Sequence, residues 1–187
     1  MRFCSNCGQP ITLRVPPGDN RARACCDHCG RVHYVNPRPV VGTIPVWNEE
    51  VLLCLRAIEP RHGKWTLPAG FMEVGETTAE GAARETLEEA GARIDIGPLF
   101  SMIDVPQVEQ VHIFYRAALR DIDFAAGEES LDVRLFAERD IPWDELAFRT
   151  VSTTLRLFFS DRTSGSFGVH TQAISGAHRS PPHPAAA

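Results

Sequence analysis

The chain has 187 residues, 43% of them hydrophobic, which suits one globular domain with a small additional module. A formal net charge of −5 disfavours broad electrostatic binding to nucleic acid or to anionic membranes. The sequence contains no apolar run long enough to predict a membrane-spanning helix, and the residues after Met1 are polar where a secretory signal would be apolar. We therefore expect a cytoplasmic protein with no membrane partner.

Four of the six cysteines form two closely spaced pairs near the N-terminus. Cys4 and Cys7 are separated by two residues, as are Cys26 and Cys29, and an 18-residue gap lies between the pairs. This spacing is typical of a Zn²⁺ site with four thiolate ligands. Two disulfide bonds are the alternative, but a reducing compartment favours thiolates and metal. Cys25 could replace Cys26 as a ligand, although the second pair would then have a less usual spacing.

The segment around these cysteines, residues 1–35, resembles a zinc ribbon. So short a segment buries too little apolar surface to fold alone, and metal binding would therefore supply its folding free energy. Its few basic residues have little aromatic sequence between them, so we do not expect it to bind nucleic acid. Two prolines in the sequence 36–39 then form a stiff connector to the rest of the chain.

Strands are predicted on both sides of a central helical segment. Branched and aromatic side chains are enriched in five runs, and turn or polar residues bound each run. The first two runs flank a short polar break and predict a hairpin. The five predicted strands cover residues 40–47, 51–56, 94–103, 111–119 and 131–137.

The C-terminal part of the chain contains a second predicted helix and a polar tail. Pro142 is suited to a first helical turn, and an apolar stripe continues at helical spacing to about residue 160. The segment 162–187 is rich in Ser, Gly, His, Pro and Ala and has almost no core-forming residues. We therefore expect this tail to be disordered.

The central helix has sequence signals for both of its ends. Thr77 and Glu80 have the spacing of a capping box, which begins a helix. Gly91 tolerates the left-handed conformation that ends one. The sequence therefore predicts a helix between these residues.

Three carboxylates, those of Glu85, Glu88 and Glu89, fall on one face of this helix at about 100° per residue. Like charges at this spacing destabilise a helix, and Arg84 is the one cation in its sequence that could offset them. Mg²⁺ or Mn²⁺ would neutralise the cluster, because these ions prefer carboxylate and phosphate oxygens. An ordinary solvated acidic face is the alternative. The opposite, apolar face is predicted to consist of Ala79, Ala83, Thr86, Leu87 and Ala90.

The sequence around this helix resembles the signature of the Nudix hydrolases, Gx5Ex7REUxEExGU, where U is a bulky aliphatic residue. Gly70, Glu76 and the run 84–91 match every glycine and every charged position of the signature. Thr86 and Ala92 depart from it, since both stand where bulky aliphatic residues are expected. These departures concern packing rather than chemistry. The resemblance implies an α/β (α+β) Nudix fold, in which a mixed β-sheet is sandwiched between helices.

The resemblance also implies a set of metal ligands. Glu88 and Glu89 would be the main ligands of Mg²⁺ or Mn²⁺, and Glu85 would share a metal ion or orient the attacking water. A backbone carbonyl just before or at the signature glycine would join the metal shell. The matching positions here are Ala69 and Gly70, where a glycine permits close approach of the backbone to an ion.

Two further catalytic roles are implied by the same resemblance. Arg84 would form a salt bridge that positions the carboxylates, often with the glutamate at the position of Glu76. In many family members the general base is a glutamate on a loop distant from the signature. Glu129, in a polar break before a predicted strand, is the candidate here and Glu128 is the reserve. A solvated acidic loop is the alternative.

The substrate is implied by sequence outside the signature. The span 3–161 resembles Nudix proteins related to the plant FAD and ADP-ribose pyrophosphatases, with elements that read FCSNCG, HYVNP and ESLDVRLF here. Zinc-containing NADH pyrophosphatases carry an SQPWPFPxS array that this chain lacks. We therefore expect hydrolysis of the diphosphate bond of a small-molecule dinucleotide, FAD or ADP-ribose, which releases AMP with FMN or ribose 5-phosphate. Tyr34, Phe71 and Phe148 could stack on its rings, with ordinary packing as the alternative.

Other functions stay open at this point. NADH or nucleoside triphosphates are alternative substrates, and a non-catalytic regulator that senses ADP-ribose is an alternative class of protein. Such regulators typically lose signature glutamates, which this chain keeps. The resemblance further implies a homodimer. The expected organisation is a zinc ribbon at 1–35, a Nudix hydrolase domain at 36–161 and a disordered tail at 162–187.

Overall fold

The structure is a computed structural model that describes residues 1–174. The chain separates into two compact units, of which the first is Met1–Asn36 and the second begins at Pro37. Across the described residues, no helix is long and apolar enough to cross a lipid bilayer.

The first unit is a small antiparallel sheet with very little core. Its three strands, in sheet order, are β1 (Thr12–Arg14), β2 (Arg23–Cys25) and β3 (Val32–His33). Five of its side chains are buried, and none is Leu, Ile, Val, Met or Phe: Cys4, Pro16, Cys25, Cys26 and His33. Hydrophobic burial alone therefore gives this unit little stability.

The second unit contains one mixed, eight-stranded sheet. The strand order is β10-β5-β4-β9-β8-β11, with β6 paired to β5 and β7 paired to β4. The β4–β9 and β8–β11 pairs are parallel, and the other pairs are antiparallel. The strands are β4 (Arg38–Trp47), β5 (Glu50–Arg56), β6 (Trp65–Thr66), β7 (Ala69–Phe71), β8 (Ile94–Val105), β9 (Gln110–Leu119), β10 (Ser130–Phe136) and β11 (His170–Ala173).

Two helices, α1 (Thr78–Ala90) and α2 (Arg149–Ser164), pack on opposite faces of this sheet. Successive residues of a strand point to opposite faces, and β5 shows the consequence. Leu53 belongs to the core beneath α2, whereas its neighbour Leu52 belongs to the core that contains the end of α1. The predicted arrangement, a mixed sheet sandwiched between helices, is confirmed.

The second helix begins later than the sequence predicts. A short 3₁₀ turn covers Trp143–Glu145, and α2 begins only at Arg149. Between them the backbone N–H of Ala147 donates a hydrogen bond to Trp65 O at 2.8 Å, which pairs this segment with the sheet. An extended backbone here cannot also be helical, so Pro142 begins a turn rather than the helix.

The predicted disorder of 162–187 is wrong for the first part of this segment. Strand β11 pairs in parallel with β8, and the ring of Phe167 contacts that of Phe100 with 6.4 Å between centroids. The Arg116 guanidinium lies 4.0 Å from the centroid of the Phe167 ring. Backbone pairing needs no apolar pattern, so composition did not reveal this short polar strand. Residues 175–187 lie outside the described residues.

Candidate active site

The four cysteines of the two CxxC pairs come together in the first unit. Their sulfur atoms all lie within 4.8 Å of one another, with Cys4 Sγ 3.7 Å from Cys29 Sγ and Cys7 Sγ 3.5 Å from Cys26 Sγ. A tetrahedral Zn²⁺ with bonds of about 2.3 Å places its sulfur ligands about 3.8 Å apart. The cluster therefore fits a zinc ion. Cys25 lies apart from it, with its sulfur directed at the carbonyl oxygens of other residues.

The chain around the cysteines is shaped for this cluster. Gly8 and Gly30 have φ angles of 73° and 71°, and their N–H groups donate to Cys4 O and Cys26 O, both at 2.9 Å. Each CxxC pair is thus closed by a glycine in the left-handed conformation. His33 Nε2 lies 3.3 Å from Cys4 Sγ, so a ring N–H can support that thiolate from the second shell of ligands.

Helix α1 has the caps that the sequence predicts. Thr77 Oγ1 accepts a hydrogen bond from Glu80 N at 3.2 Å, and Glu80 Oε2 accepts one from Thr77 N at 2.8 Å. Gly91 has φ 60°, and its N–H donates to Leu87 O. Both ends of the helix are therefore fixed, which sets the positions of the glutamates between them.

The buried face of α1 differs from the predicted one. Leu87 is 54% exposed, whereas Glu89 is only 5% exposed and lies on the side that meets the sheet. Small residues allow this close contact, since a Cβ added at Gly81 would lie 2.9 Å from Val41 Cγ2. The three glutamates therefore do not share one solvated face. The buried residues of the helix are Gly81, Ala82, Thr86, Glu89 and Ala90.

Thr86, which departs from the signature, belongs to a polar pair in this interface. Its hydroxyl donates to Ala82 O at 2.8 Å and therefore accepts from Thr43 Oγ1, which lies 2.7 Å away. Both threonines are fully buried. A hydrogen-bonded pair thus replaces the aliphatic contact that the signature expects, and both hydroxyls are satisfied.

Arg84 connects three of the four signature carboxylates. Its Nε and Nη2 donate to the two oxygens of Glu76 at 3.0 and 2.8 Å, and this pairing lowers the pKa of Glu76 to about 2. Its Nη1 donates to Glu85 Oε1 at 2.7 Å and to Glu88 Oε2 at 2.9 Å. The salt bridge that the resemblance implies is present, and it extends to two of the expected metal ligands.

Glu89 and Glu85 lie against the turn before α1. The N–H of Ala69 donates to Glu89 Oε2 at 3.0 Å, and burial raises the pKa of Glu89 to about 8, with the charges of Glu85 and Glu129 adding to the effect. Burial also raises the pKa of Glu85. A Cβ at Gly70 would overlap the Glu85 carboxylate, so a larger residue here would displace that side chain. The structure therefore places Ala69 and Gly70, the predicted backbone positions, next to Glu89 and Glu85.

The donor set of this acidic cluster fits a divalent cation. Glu89 is a buried carboxylate next to Glu85, and an amide N–H does not balance its charge. Arg84 binds one oxygen of Glu85 and one of Glu88, which leaves the second oxygen of each for other partners. A hard cation held by these three glutamates would supply the missing positive charge.

The loop 127–130 places the candidate general base beside the cluster. Gly127 N donates to Glu89 O at 3.0 Å, and a Cβ at Gly127 would overlap Glu88 O, so glycine permits the loop to dock on the end of α1. Glu129 O accepts from Ala57 N at 2.8 Å. The side chains of Glu128 and Glu129 both line the adjoining cleft.

A single cleft of about 940 Å³ joins these features. The signature glutamates and Arg84 line one part, together with the loop 127–130. The rest is lined mainly by apolar and aromatic side chains, among them Val40, Val105 and Ile174. Of the aromatic residues considered above, Phe71 and Phe148 line the cleft, and Tyr34 belongs to the first unit, where Arg23 lies over its ring.

Comparison with known sequences identifies the family. The profile described as "NUDIX domain" matches residues 36–155, and the profile described as "Nudix N-terminal" matches residues 2–35. The chain belongs to the Nudix family. Nudix enzymes act on phosphoanhydride bonds of nucleotide derivatives, generally with a divalent metal, so the predicted fold and enzyme class are confirmed.

Individual Nudix relatives match this chain over different fractions of its length. A crystal structure of a NUDIX hydrolase from Nitrosomonas europaea has TM-score 0.90 and 50% identity and covers 93% of this chain and 99% of that one. An ADP-ribose pyrophosphatase from Streptococcus suis has TM-score 0.62 and 19% identity, over 73% of this chain and all of that one, which shows a common fold. The NAD-capped RNA hydrolase NudC of Salmonella heidelberg is 33% identical over 93 residues, half of this chain and 34% of NudC. The match therefore spans about a third of that relative.

Several residues of the Nudix cleft were not singled out from the sequence. They come from separate elements, and only the fold brings them to one cavity. His112 and Gln110 had a weak signal, since they are polar residues at the start of an apolar strand. These cleft residues are Arg56, Gln110, His112, Thr150 and Ile174.

Arg56 has surroundings that fit a role in phosphate binding. Its Nε donates to Pro60 O at 3.0 Å, and its guanidinium lies 5.2 Å from the centroid of the Phe148 ring. These contacts hold a positive charge at the edge of the cleft, near the acidic cluster. The charge of Arg56 acts to lower the pKa of Glu89, against the larger effect of burial. An arginine so fixed is suited to contact a diphosphate oxygen.

Proposed function

We propose that this Nudix domain hydrolyses the diphosphate bond of an adenosine diphosphate derivative, FAD or ADP-ribose, and releases AMP. The observation that carries the proposal is the position of the acidic cluster in a cleft of about 940 Å³. Ligand pockets measure roughly 300–1,000 Å³, so this one has room for a large ligand. Its acidic part suits a metal-bound diphosphate, and its apolar part suits the rings of a dinucleotide.

The residues of the cleft have separate tasks in this reaction. A divalent ion held by Glu85, Glu88 and Glu89 would neutralise the diphosphate and lower the pKa of the attacking water. Arg84 orients two of these carboxylates through Nη1, and the Ala69 N–H orients the third. Water attacks one phosphorus atom, the bridging P–O bond breaks, and each product keeps one phosphate.

We propose that Glu129 accepts the proton of the attacking water. The loop that carries Glu129 is bonded to the end of α1 through Gly127, so the carboxylate is held close to the metal ligands. Arg56 would bind a phosphate oxygen and offset the charge that develops on the leaving group. The diphosphate is thus held between the acidic cluster and a fixed cation.

A second candidate substrate is NADH or an NAD-capped RNA. The Salmonella relatives whose match covers 50% of this chain are named NAD-capped RNA hydrolase NudC. The absence of the SQPWPFPxS array from the sequence favours FAD or ADP-ribose instead. Because the signature glutamates are all kept, a purely regulatory protein that senses ADP-ribose is the weaker interpretation.

One assay ranks these substrates. The full chain is incubated with Mg²⁺ or Mn²⁺ and, in turn, FAD, ADP-ribose, NADH, NAD-capped RNA and ATP, and AMP release is measured. We expect FAD or ADP-ribose to give the highest kcat/KM. AMP released from NADH or NAD-capped RNA alone would reverse the ranking, and no hydrolysis of any substrate would refute the proposed function.

Variants of the acidic residues test their roles. We expect Glu89→Gln to lower kcat roughly a hundredfold or more, because a metal ligand is lost while the shape of the side chain is kept. Glu129→Gln should lower kcat by about a hundredfold, the smaller end of general-base effects. Glu128→Gln is the matched control on the same loop. If Glu128→Gln has the larger effect, the two roles must be exchanged.

Two further properties stay predictions. We propose a homodimer, which size-exclusion chromatography with light scattering would show as twice the mass of the chain. A monomer at micromolar concentration would contradict it. We also propose a cytoplasmic location, which fractionation of cells that express the natural gene would test.

A further inference from the structure

His112 is a buried polar residue at the wall of the cleft. It lies on β9 two residues before Phe114, so both side chains point to the same face of the sheet. Phe114 belongs to the core beneath α2, whereas His112, 8% exposed, lines the cleft where that core ends. His112 Nε2 lies 3.0 Å from Gln110 Oε1, and its buried Nδ1 has no hydrogen-bond partner among the described residues.

Thr150 is a second buried polar residue of the same cleft. It lies in the first turn of α2, which has no side-chain cap at Phe148, and it is 3% exposed. Its Oγ1 is also buried without a hydrogen-bond partner among residues 1–174. Buried polar atoms in folded proteins are nearly always paired, so two residues of one cleft that each have an unpaired polar atom are candidates for contact with a ligand.

The packing of α2 on β8 sets the position of Thr150. Thr154 Oγ1 lies 3.0 Å from Ser101 Oγ, and one turn later the ring of Phe158 contacts that of Phe100. The helix therefore runs against the direction of β8. Thr150, one turn before Thr154, must lie over a later residue of this strand.

Strand register then brings Thr150 to the position of His112. Ser101 is paired with Phe114, and two residues further along β8, Ile103 is paired with His112. Directly paired residues have side chains on the same face, so His112 faces the first turn of α2. The two unpaired atoms thus belong to one end of the cleft.

We propose that His112 and Thr150 bind the polar edge of the adenine base of the substrate, which deepens the proposed function and depends on it. The exocyclic amino group of adenine would donate to His112 Nδ1, and the Thr150 hydroxyl would donate to the neighbouring ring nitrogen. With Nε2–H donating to Gln110, Nδ1 is left with a free lone pair. Burial lowers the pKa of His112 to about 4, so the ring is neutral at physiological pH.

The distance to the acidic cluster suits a nucleotide. His112 is paired with Val40, and Val40 is paired on its other side with Phe71, which follows Gly70. At the usual spacing of strands, His112 is about 10 Å from Phe71. The ribose and 5′-oxygen of an adenosine would span the interval between the base and a diphosphate at Glu85 and Glu89.

This arrangement predicts discrimination between two closely related bases. Hypoxanthine has a carbonyl oxygen in place of the amino group and an N–H in place of the ring nitrogen. The contact with His112 would then be mismatched, because an acceptor would face the lone pair of Nδ1, whereas the Thr150 hydroxyl can accept from the ring N–H as well as donate. AMP should therefore bind more tightly than IMP.

Calorimetric titration of the full chain with AMP and with IMP tests the inference without any turnover. We expect AMP to bind at least about tenfold more tightly. His112→Leu should remove most of this preference, and Thr150→Val should weaken the binding of AMP about fivefold. Thr154→Val is the matched control, because its hydroxyl lies one turn away on the same helix and is paired with Ser101. That variant should keep the preference and the affinity for AMP.

Two outcomes would overturn the inference. One is equal affinity of the wild-type chain for AMP and IMP, and the other is an unchanged affinity for AMP in Thr150→Val, which is a near-isosteric change and is expected to fold. Failure of this inference can be distinguished from failure of the proposed function. Hydrolysis of FAD or ADP-ribose without any base preference would reject only the adenine contacts, whereas absence of hydrolysis would reject the activity.

Discussion

The molecule contains two clusters of anionic ligands, the cysteines of the zinc ribbon and the glutamates of the Nudix domain. The four sulfurs lie in a unit with five buried side chains, and none of these is a Leu, Ile, Val or Phe. The glutamates lie on a helix in a unit with two hydrophobic cores. The first cluster must hold its unit together, whereas the second is held by a unit that is already stable.

The two clusters also differ in how their charge is balanced. Three signature carboxylates contact Arg84, so the acidic cluster has a positive partner in the protein itself. In the ribbon the nearest support is a ring nitrogen of His33 and backbone N–H groups. We infer that zinc serves folding in one unit and that a second metal serves chemistry in the other. Four predictions test this distinction.

The largest expected effect is loss of the ribbon fold in Cys26→Ser. Structural zinc sites contribute roughly 10–16 kcal/mol of apparent binding free energy, far more than so small a core can replace. Hydrogen exchange should show residues 1–36 unprotected while the Nudix domain stays protected. Cys25→Ser is the matched control, because Cys25 directly precedes Cys26 and is equally buried but does not belong to the cluster. Protection of residues 1–36 that persists in Cys26→Ser would show that the cysteine cluster does not hold this unit together.

Arg84→Met should damage chemistry more than stability. The variant loses the guanidinium that orients Glu85 and Glu88, and we expect kcat to fall about a hundredfold. The melting temperature should change little, because ion pairs that are partly exposed contribute little to folding. Arg93→Met, which breaks a surface ion pair with Asp121, should leave both quantities unchanged. Unfolding of Arg84→Met at room temperature would show that this cluster also holds the fold.

Thr86→Val should destabilise the Nudix domain by about 2 kcal/mol, because the Thr43 hydroxyl is left buried without its partner. The double variant Thr43→Val with Thr86→Val should lose less than the sum of the single variants, since the pair is removed together. Chemical denaturation measures all four free energies. Additive losses would mean that the two hydroxyls do not act as a pair.

The smallest effect concerns the pH dependence of stability. Burial lowers the pKa of His112 to about 4, so below the ordinary value near 6.5 the unfolded chain binds a proton that the folded chain does not. Stability is therefore lost as pH falls from 6.5 towards 4. Between pH 7 and pH 5.5 the wild type should lose about 1 kcal/mol more than His112→Leu. Equal losses in urea denaturation would show that His112 is protonated in the folded state.

Local signals predicted much of the Nudix domain. The caps of α1 were evident from Thr77, Glu80 and Gly91, since capping depends on side chains within a few residues. Strands β4, β5, β8, β9 and β10 were predicted to within two residues at each end. The cysteine spacing likewise predicted the four sulfurs that meet.

Features that depend on contacts between distant residues were missed. Helical periodicity placed the three glutamates on one face, but it could not show that Gly81 and Ala82 turn Glu89 towards the sheet. His112 and Thr150 are separate in the sequence, and only strand register and the direction of α2 bring them together. Glu129 was named from the sequence as a candidate base, but the docking of its loop on α1 was not evident, because the close approach of Gly127 to Glu88 O depends on the fold.

The short strand β11 limits how far the chain can be shortened. It covers the outer edge of β8, and Ile174 beyond it is held by Asp104 O and by Gln107 before it reaches the cleft wall. A protein truncated after residue 161 would uncover the edge of β8 at residues 101–104, and an open strand edge promotes aggregation. It would also lose Ile174 from the wall of the cleft. Purified enzyme for any assay should therefore extend at least through residue 174.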